Sequence, residues 1–210
     1  MIKRIIFDID GTLITGIDFS SYIKNALNKF GINNQDKVNL FLSNIKEYEK
    51  KYSSYDYDSY LNFFSDKLSC KLNDVFLEIF FEELKKAIPT NSYNINKILY
   101  NLGDYELVLL SNFFEVSQRN RLEAMGINKY FSEYYGEKII KPNKEVYIDC
   151  SGRYNNNECL IIGDDKKLDI DIPKQMGFNT LFINELGDIK SVEEITPKLI
   201  KKLNNHIDYK

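Results

Sequence analysis

The spacing of apolar residues changes twice along the chain and divides it into three regions. Residues 3–9 (KRIIFDI) form a short β-branched and aromatic run, which predicts a buried strand that ends before Gly11 and Thr12. From about 15 to 90, apolar residues recur at helical spacing in four sets, so we expect four helices and no strands there. The predicted helix starts are Asp18, Asp36, Asp56 and Asn73, and Pro89 closes the last helix.

Beyond residue 90, strand-like and helix-like segments alternate. We expect strands at 106–111, 159–163 and 180–184, with a weaker one near 134–135. We expect helices over 94–102, 115–125 and 143–151, a short helix that ends at Gly177, and a last helix that opens with the capping box Ser191 and Glu194 and runs to about Leu203. Such alternation is typical of a parallel sheet covered by helices on both faces.

The predicted fold class is therefore α/β, with a Rossmann-like parallel-sheet core and an all-helical cap inserted after the first strand. Residues 1–14 and 91–210 would form the core, and residues 15–90 would form the cap. Hinges are expected near 14–18 and 88–92, so that the cap opens to admit a substrate and closes over it.

Polar side chains follow the predicted strands at the point where each strand ends. Asp8 and Asp10 end the first strand, Ser111 and Asn112 end the strand at 106–111, and Asp164 and Asp165 follow the strand at 159–163. Lys141 lies in a loop-like stretch between the last two of these strands. Since the site of an open parallel sheet lies beyond the carboxyl ends of its strands, these groups are expected to converge.

The charges in this predicted crevice indicate a cation. Two carboxylates 4 Å apart repel by about 4 kcal/mol at an effective dielectric of 20, so Asp8, Asp10 and Asp164 would not all stay ionised alone. Hard oxygen ligands without histidine or cysteine favour Mg²⁺ over zinc. With Lys141 as a second positive charge and the Ser111 hydroxyl as a donor, the pocket suits a phosphoryl group, and a carboxylate is available for in-line attack.

Four segments in this order carry a family resemblance: FDIDGTL at 7–13, LLSN at 109–112, KP at 141–142 and GDDKKLD at 163–169. Together they resemble the motifs of the haloacid dehalogenase-like (HAD) hydrolase superfamily, in its phosphatase type with an inserted helical cap. The resemblance implies that Asp8 is the nucleophile and forms an aspartyl-phosphate. It implies that Asp10 protonates the leaving group and then activates water, and that Asp8, the Asp10 carbonyl and Asp164 bind Mg²⁺.

The same resemblance assigns the groups that hold the phosphate. Ser111, Asn112 and Lys141 would bind the phosphoryl oxygens, and Gly11 and Thr12 would turn the chain so that their backbone lies near them. Two further acids are supporting residues. Asp169 matches the later acid of the fourth motif and would support the metal through water or hydrogen bonds. Asp165 stands where a small or hydroxyl residue is common, so it would either add to the metal site or face solvent.

A second departure from the family pattern is Pro173, which follows Ile172 where the family usually has a small residue inside the helix. Because proline lacks the backbone N–H, we expect this helix to start late. Neither departure removes a catalytic group.

Composition excludes several other classes of protein. With 28 basic against 31 acidic residues the chain has no positive excess to drive nucleic-acid binding. Its one histidine, His206, makes a serine–histidine triad or a multi-histidine metal site untenable. Cys70, Cys150 and Cys159 are odd in number and widely spaced, so we expect reduced thiols. No signal peptide or membrane span is recognised, and a cytoplasmic monomer is the default expectation.

The leading hypothesis is a Mg²⁺-dependent phosphomonoester hydrolase that acts on a small phosphorylated metabolite. Asp10 favours this chemistry over carbon–halogen cleavage, because the dehalogenase branch has no aspartate at that position. The alternatives are a sugar-phosphate mutase or phosphotransferase of the same superfamily and a non-catalytic phosphoacceptor protein, which the long cap disfavours. The cap contains no arginine, and some of Tyr48, Tyr52 and Tyr55 could face the substrate.

Overall fold

A computed structural model describes residues 1–207 and contains a five-stranded, wholly parallel sheet. Its strands are β1 (Arg4–Phe7), β2 (Glu106–Leu110), β3 (Phe131–Tyr135), β4 (Cys159–Gly163) and β5 (Asn179–Phe182). They lie in the order β3-β2-β1-β4-β5, with β1 paired to β2 on one side and β4 on the other. The carboxyl end of β1 is therefore at the centre of the sheet.

Helices cover both faces of this sheet. They are α5 (Ser92–Asn101), α6 (Glu115–Ala124), α7 (Lys144–Ser151), α8 (Ile172–Gln175), which a π-helical segment (Lys166–Asp171) precedes, and α9 (Pro197–Ile207). Alternate residues of β1 face opposite layers: Ile5 and Phe7 belong to one apolar cluster, and Ile6 belongs to the other. The predicted α/β fold class is confirmed. Among residues 1–207, no helix has both the length and the apolar character needed to cross a bilayer.

Four helices between β1 and β2 form a separate layer, which we call the cap: α1 (Phe19–Lys29), α2 (Gln35–Tyr52), α3 (Tyr57–Leu68) and α4 (Asp74–Leu84). Asp18 and Asp56 begin α1 and α3 as predicted, since their carboxylates accept hydrogen bonds from the backbone of Ser20 and Ser59, both at 2.9 Å. The second helix differs from the prediction by two residues. Asn34 caps it by accepting from the Asp36 N–H at 2.8 Å, so Asp36 is inside the first turn.

Stacked aromatic rings fill the interior of the cap. Phe41 and Phe64 stack with ring centroids 4.1 Å apart, and Tyr60 packs against both. Phe113 and Phe114, which follow β2, enter the same cluster from the core, as does Ile140. Phe114 is fully buried there, because its ring packs edge-on against cap tyrosines at 5.0–5.2 Å. An apolar contact thus joins the cap to the loop that follows β2.

The last helix begins later than the sequence indicated. Ser191 makes no capping hydrogen bond, and the three residues after it form only a short 3₁₀ turn. Glu194 instead accepts from the backbone N–H of Lys190 at 2.8 Å. The helix starts at Pro197, because a proline disfavours the helical conformation in the residue before it yet suits the first helical position. The prediction of a capping box at Ser191 was wrong.

Candidate active site

The site is centred on Asp8, the first residue beyond β1. The Asp8 backbone N–H donates to the Ile162 carbonyl at 2.9 Å, which continues the β1–β4 ladder past the end of the strand. The carboxylate of Asp8 accepts a hydrogen bond from Lys141 Nζ at 2.8 Å. The same ammonium group donates to Asp169 Oδ1 at 2.7 Å, and all three side chains are buried.

Three carboxylates gather around this lysine. Asp8, Asp164 and Asp169, which we call the acidic cluster, each present an oxygen within 4.8 Å of the others. Burial raises the pKa of Asp8 above its ordinary value, although Lys141 opposes the shift. Burial and then the charge of Asp169 raise the pKa of Asp164 as well. One lysine cannot neutralise three carboxylates, so the acidic cluster retains negative charge that favours binding of a cation.

The donor set fits a hard divalent cation. Carboxylate oxygens are the ligands that such ions prefer, and neither histidine nor cysteine belongs to the cluster. The ammonium group of Lys141 is held by its neighbours: burial by itself would lower the pKa of Lys141, but Asp8 and Asp169 outweigh burial and raise it. The lysine therefore stays charged beside the site.

A tight turn after β1 brings the backbone against the acidic cluster. Gly11 has φ +86°, and a Cβ atom there would overlap the carboxylate of Asp164, so this position requires glycine on two grounds. Thr12 is fully buried, and its hydroxyl donates to Asp164 Oδ1 at 3.3 Å. The turn thus positions Asp164 in two ways: Thr12 donates a hydrogen bond to its carboxylate, and Gly11 leaves the space that the carboxylate occupies.

Ser111 and Asn112, the two polar residues after β2, have different partners. The Asn112 side chain donates to the Lys141 carbonyl at 3.0 Å and accepts from the Lys141 N–H at 2.8 Å. Both polar ends of the amide are therefore used to hold the lysine backbone, whose peptide bond to Pro142 is cis. Ser111 is buried, and its hydroxyl oxygen accepts from Gln118 Nε2 at 3.1 Å.

The side chain of Asp10 lies outside the acidic cluster. It forms a two-pronged ion pair with Arg121 of α6, in which Nη1 lies 3.1 Å from Asp10 Oδ2 and Nη2 bonds Oδ1. Arg121 is 3% exposed, whereas the Asp10 side chain is 43% exposed. The predicted metal ligand at this residue is the backbone carbonyl, which the ion pair leaves free.

Asp165 has a structural contact that neither sequence interpretation anticipated. Its carboxylate accepts from the backbone N–H groups of Lys167 and Leu168 at 2.9 and 2.8 Å and so caps the π-helical segment. Its own N–H donates to Asp169 Oδ2 at 3.1 Å. Asp165 therefore orients Asp169 from the solvent side, and α8 begins only at Ile172, next to Pro173.

Sequence reasoning missed three groups beside Asp10. Gln118 and Arg121 lie one turn apart on α6 and are almost completely buried, which is unusual for such polar side chains. Glu49 of α2 accepts a hydrogen bond from the Tyr55 hydroxyl at 2.9 Å. The detectable signal was the placement of Gln118 and Arg121 beside Leu122 on the sheet-facing side of a predicted helix.

A cavity of about 260 Å³ opens between the cap and the core next to Asp10. Its walls are mainly apolar. Besides Asp10, the polar groups at its surface include Arg121, Asn112 and Glu49, and the cap contributes no lysine to it. The apolar and aromatic lining residues are Phe19, Ile23, Leu42, Ile45, Tyr55, Tyr60, Phe80, Leu84 and Phe113.

Known structures share this architecture. The HAD-hydrolase YfnB of Bacillus subtilis, solved bound to magnesium, is 19% identical with a TM-score of 0.68, over 97% of this chain and 99% of that one. L-2-haloacid dehalogenase of Xanthobacter autotrophicus is 16% identical with a TM-score of 0.66, over 89% and 79%. A HAD phosphatase of Thermococcus onnurineus is 23% identical with a TM-score of 0.62, over 96% and 98%. At these identities the likeness shows a common fold.

Sequence comparison narrows this to a family. The pyrimidine 5'-nucleotidase YjjG of Escherichia coli is 28% identical over 122 residues, which are 54% of this chain and 52% of that protein. The aligned part thus spans about half the length of this curated relative. The family description of the haloacid dehalogenase-like hydrolases matches residues 2–177, which include all four motifs and the acidic cluster. The chain belongs to the haloacid dehalogenase-like hydrolase family.

Proposed function

We propose that the protein is a Mg²⁺-dependent phosphomonoester hydrolase that works through an aspartyl-phosphate on Asp8. One observation carries the proposal: the buried carboxylate of Asp8 is paired with Lys141 inside the acidic cluster. A further carboxylate, Asp10, follows two residues later and lies outside the cluster. Asp10 distinguishes ester hydrolysis from halide displacement, because only an oxygen leaving group needs a proton.

In the first step, an oxygen of the Asp8 carboxylate forms a bond to phosphorus as the ester P–O bond breaks. Asp10, whose side chain is 43% exposed, takes up a proton from solvent before this step and gives it to the departing alkoxide, so that an alcohol leaves. The Lys141 ammonium group and the Ser111 hydroxyl donate to the phosphoryl oxygens, whose negative charge would otherwise repel the acidic cluster.

In the second step, the ionised Asp10 takes a proton from water, and the water oxygen attacks phosphorus. The Asp8–phosphorus bond breaks, phosphate leaves and both carboxylates return to their starting state. A divalent cation bound by the acidic cluster supplies positive charge to the phosphoryl group and to Asp8. Within the chain, Thr12 holds Asp164, and Asp165 holds Asp169 for this purpose.

The cavity beside Asp10 favours a leaving group with an apolar, ring-containing body. Its walls offer aromatic and aliphatic surface from the cap, and the one charged cap residue among them is the acid Glu49. A second phosphate or a carboxylate on the substrate would therefore meet a negative charge and no cap cation. A nucleoside fits these walls, since its base combines a flat apolar face with N–H donors that Glu49 can accept.

The similarity to a pyrimidine 5'-nucleotidase supports the same substrate class. We therefore propose nucleoside monophosphates as the small phosphorylated metabolites that the protein hydrolyses. Bisphosphorylated sugars and phosphoglycolate are expected to be poor substrates, because both carry a second anionic group.

A metabolite panel tests the proposal. Purified protein is incubated with nucleoside monophosphates, sugar phosphates, phosphoglycolate and p-nitrophenyl phosphate, in Mg²⁺ and in EDTA, and free phosphate is measured. We expect release in Mg²⁺, none in EDTA, and the highest kcat/KM for a nucleotide. Transfer between positions of a sugar without free phosphate would establish the mutase alternative. A stable phosphoprotein that does not turn over would establish the phosphoacceptor alternative.

A further inference from the structure

A continuous chain of hydrogen bonds joins the Ser111 hydroxyl to the Asp10 carboxylate through two side chains of α6. Gln118 Nε2 donates to Ser111 Oγ at 3.1 Å, and Gln118 Oε1 accepts from Arg121 Nη1 at 2.7 Å. Arg121 then donates to both oxygens of Asp10. We call this chain, from Ser111 through Gln118 and Arg121 to Asp10, the α6 relay.

The side chains of Gln118 and Arg121 are so deeply buried that leaving either one without hydrogen-bond partners would destabilise the fold. Gln118 is 2% exposed and Arg121 is 3% exposed, although amide and guanidinium groups are seldom buried so deeply without partners. Their spacing of three residues puts both side chains on the same face of α6, the face that is turned toward β1 and β2. The two residues therefore link the side chains of Asp10 and Ser111, which follow the neighbouring strands β1 and β2.

The arginine fixes the direction of every hydrogen bond in the relay. A guanidinium group has donors only, so the end of the Gln118 amide that faces Arg121 must be the carbonyl oxygen. The amide NH₂ then faces Ser111 and donates to its oxygen. The Ser111 hydroxyl hydrogen consequently points away from Gln118, and it is free to donate into the crevice.

The cap contacts the same arginine. The ring of Phe19, the first residue of α1, lies 4.9 Å from the Arg121 guanidinium carbon. Phe19, Asp10 and Arg121 all line the cavity beside the site. The guanidinium group is thus in contact with a carboxylate, an amide and an aromatic ring.

We propose that Gln118 and Arg121 are positioning residues of the hydrolytic site. Arg121 holds Asp10 where it exchanges protons with the leaving group and with water, and through Gln118 it directs the Ser111 hydroxyl hydrogen toward the phosphoryl oxygens. The inference rests on the proposed phosphomonoesterase function and adds two residues that lie outside its four motifs.

The first test uses Arg121→Lys, which keeps the charge but loses the two-pronged geometry. Two esters are compared: a nucleotide, whose alkoxide needs a proton to leave, and p-nitrophenyl phosphate, whose nitrophenolate leaves without one. We expect kcat for the nucleotide to fall by about 10–100-fold with KM within about 3-fold, since proton transfer is lost and binding is not. With p-nitrophenyl phosphate the variant should release one equivalent of nitrophenol in a rapid burst, followed by slow turnover.

The second test uses Gln118→Glu, which preserves size and leaves Arg121 with a partner. A carboxylate at this position accepts from Ser111, so the hydroxyl hydrogen turns away from the phosphate. We expect KM to rise by about 10-fold for both esters, with a smaller change in kcat. The matched control is Arg119→Lys on the same helix, whose arginine makes an exposed pair with Glu115 at 2.8 Å and should leave both constants unchanged.

Wild-type turnover distinguishes failure of the proposed phosphomonoesterase function from failure of the roles assigned to Gln118 and Arg121. No phosphate release by the wild type in Mg²⁺ would remove the proposed function and this inference with it. Wild-type turnover combined with unchanged kinetics in folded Arg121→Lys and Gln118→Glu would overturn the inference alone. The inference would also be overturned if the nitrophenol burst of Arg121→Lys fell by the same factor as its kcat. That result would mean that the substitution damages the whole site and not proton transfer alone.

Discussion

The two ends of the parallel sheet each bury a cation between two carboxylates, yet they differ in charge balance. At the amino end, the Arg4 guanidinium bonds Glu106 and Glu133 at 2.6 and 2.9 Å. At the carboxyl end, Lys141 bonds Asp8 and Asp169 at 2.8 and 2.7 Å. Both cations are almost fully enclosed, so ion-pair geometry alone does not tell a structural site from a chemical one.

The carboxylates differ in burial. The side chains of Glu106 and Glu133 are 28% and 44% exposed, so water completes their solvation. Those of Asp8 and Asp169 are 9% and 2% exposed. Burial at the carboxyl end therefore raises the pKa of Asp8, whereas Arg4 lowers the pKa of Glu106 against its partial burial.

The number of charges differs as well. The amino end adds a second cation, since Arg153 lies 4.0 Å from Glu106. The carboxyl end adds a third anion, Asp164, which completes the acidic cluster. The charges at the amino end thus balance, whereas the carboxyl end retains negative charge that can bind a divalent cation beside a phosphoryl group. Residual charge after pairing is the feature that distinguishes the reactive end.

The largest expected effect is on turnover. Asp8→Asn should reduce phosphate release by roughly 10⁴-fold or more, because an amide cannot form the acyl-phosphate. Glu106→Gln at the opposite end should leave kcat and KM within about 2-fold, since it touches no reacting group. Both variants are assayed with p-nitrophenyl phosphate in Mg²⁺, and circular dichroism checks the fold. Retained activity in Asp8→Asn would disprove the nucleophile.

Removing each cation should separate chemistry from stability. Lys141→Met is expected to lower kcat by at least about 10²-fold, because the phosphoryl oxygens lose a fixed positive charge. Arg4→Met is expected to leave kcat unchanged in the folded protein and to cost about 2 kcal/mol of unfolding free energy, or roughly 4–8 °C in Tm. Equal losses of kcat in Lys141→Met and Arg4→Met would show that the two ends of the sheet do not differ in their contribution to catalysis.

Stability in the presence of metal tests the residual charge. Mg²⁺ at about 100 times its Kd stabilises a folded protein by about 2.7 kcal/mol, which predicts a rise of roughly 5–10 °C in Tm. Asp164→Asn should lose most of this rise, whereas Glu106→Gln should keep it. Differential scanning calorimetry with and without Mg²⁺ measures both, and an undiminished rise in Asp164→Asn would place the cation elsewhere.

The smallest effect is expected at Glu133. Its carboxylate is the more exposed partner of Arg4, so Glu133→Gln should change the unfolding free energy by less than about 1 kcal/mol and leave kcat as it is. Urea unfolding provides the measurement. A larger loss would mean that the amino end depends on both of its carboxylates.

The sequence predicted the strands and the polar residues at their ends because both signals are local. The apolar run before Asp8 predicts a strand, and a parallel sheet brings strand ends together whatever the intervening chain does. The pairing of Arg121 with Asp10 was not predictable in this way. It joins residues 111 positions apart, and an arginine in a helix is normally a surface residue.

The contact between the cap and the core could not be predicted from the sequence either. Phe113 and Phe114 follow the polar pair after β2, and nothing in their spacing indicates that they pack into the cap. Both rings pack against Tyr55, and Phe114 also packs against Tyr57 and Tyr60. This packing counts against the simple hinge opening that we expected near 14–18 and 88–92. Gly16, with φ +70° and an exposed position, remains a point where the chain can bend, but any opening must separate these rings.

Trapping the covalent intermediate is the decisive test of Asp8 as the nucleophile. The enzyme is mixed with Mg²⁺ and excess p-nitrophenyl phosphate, quenched in acid during turnover, and digested for mass spectrometry. We expect one phosphoryl group on the peptide that contains Asp8, and none in the Asp8→Asn variant. Continued phosphate release with no label on that peptide, or with label on another residue, would contradict it.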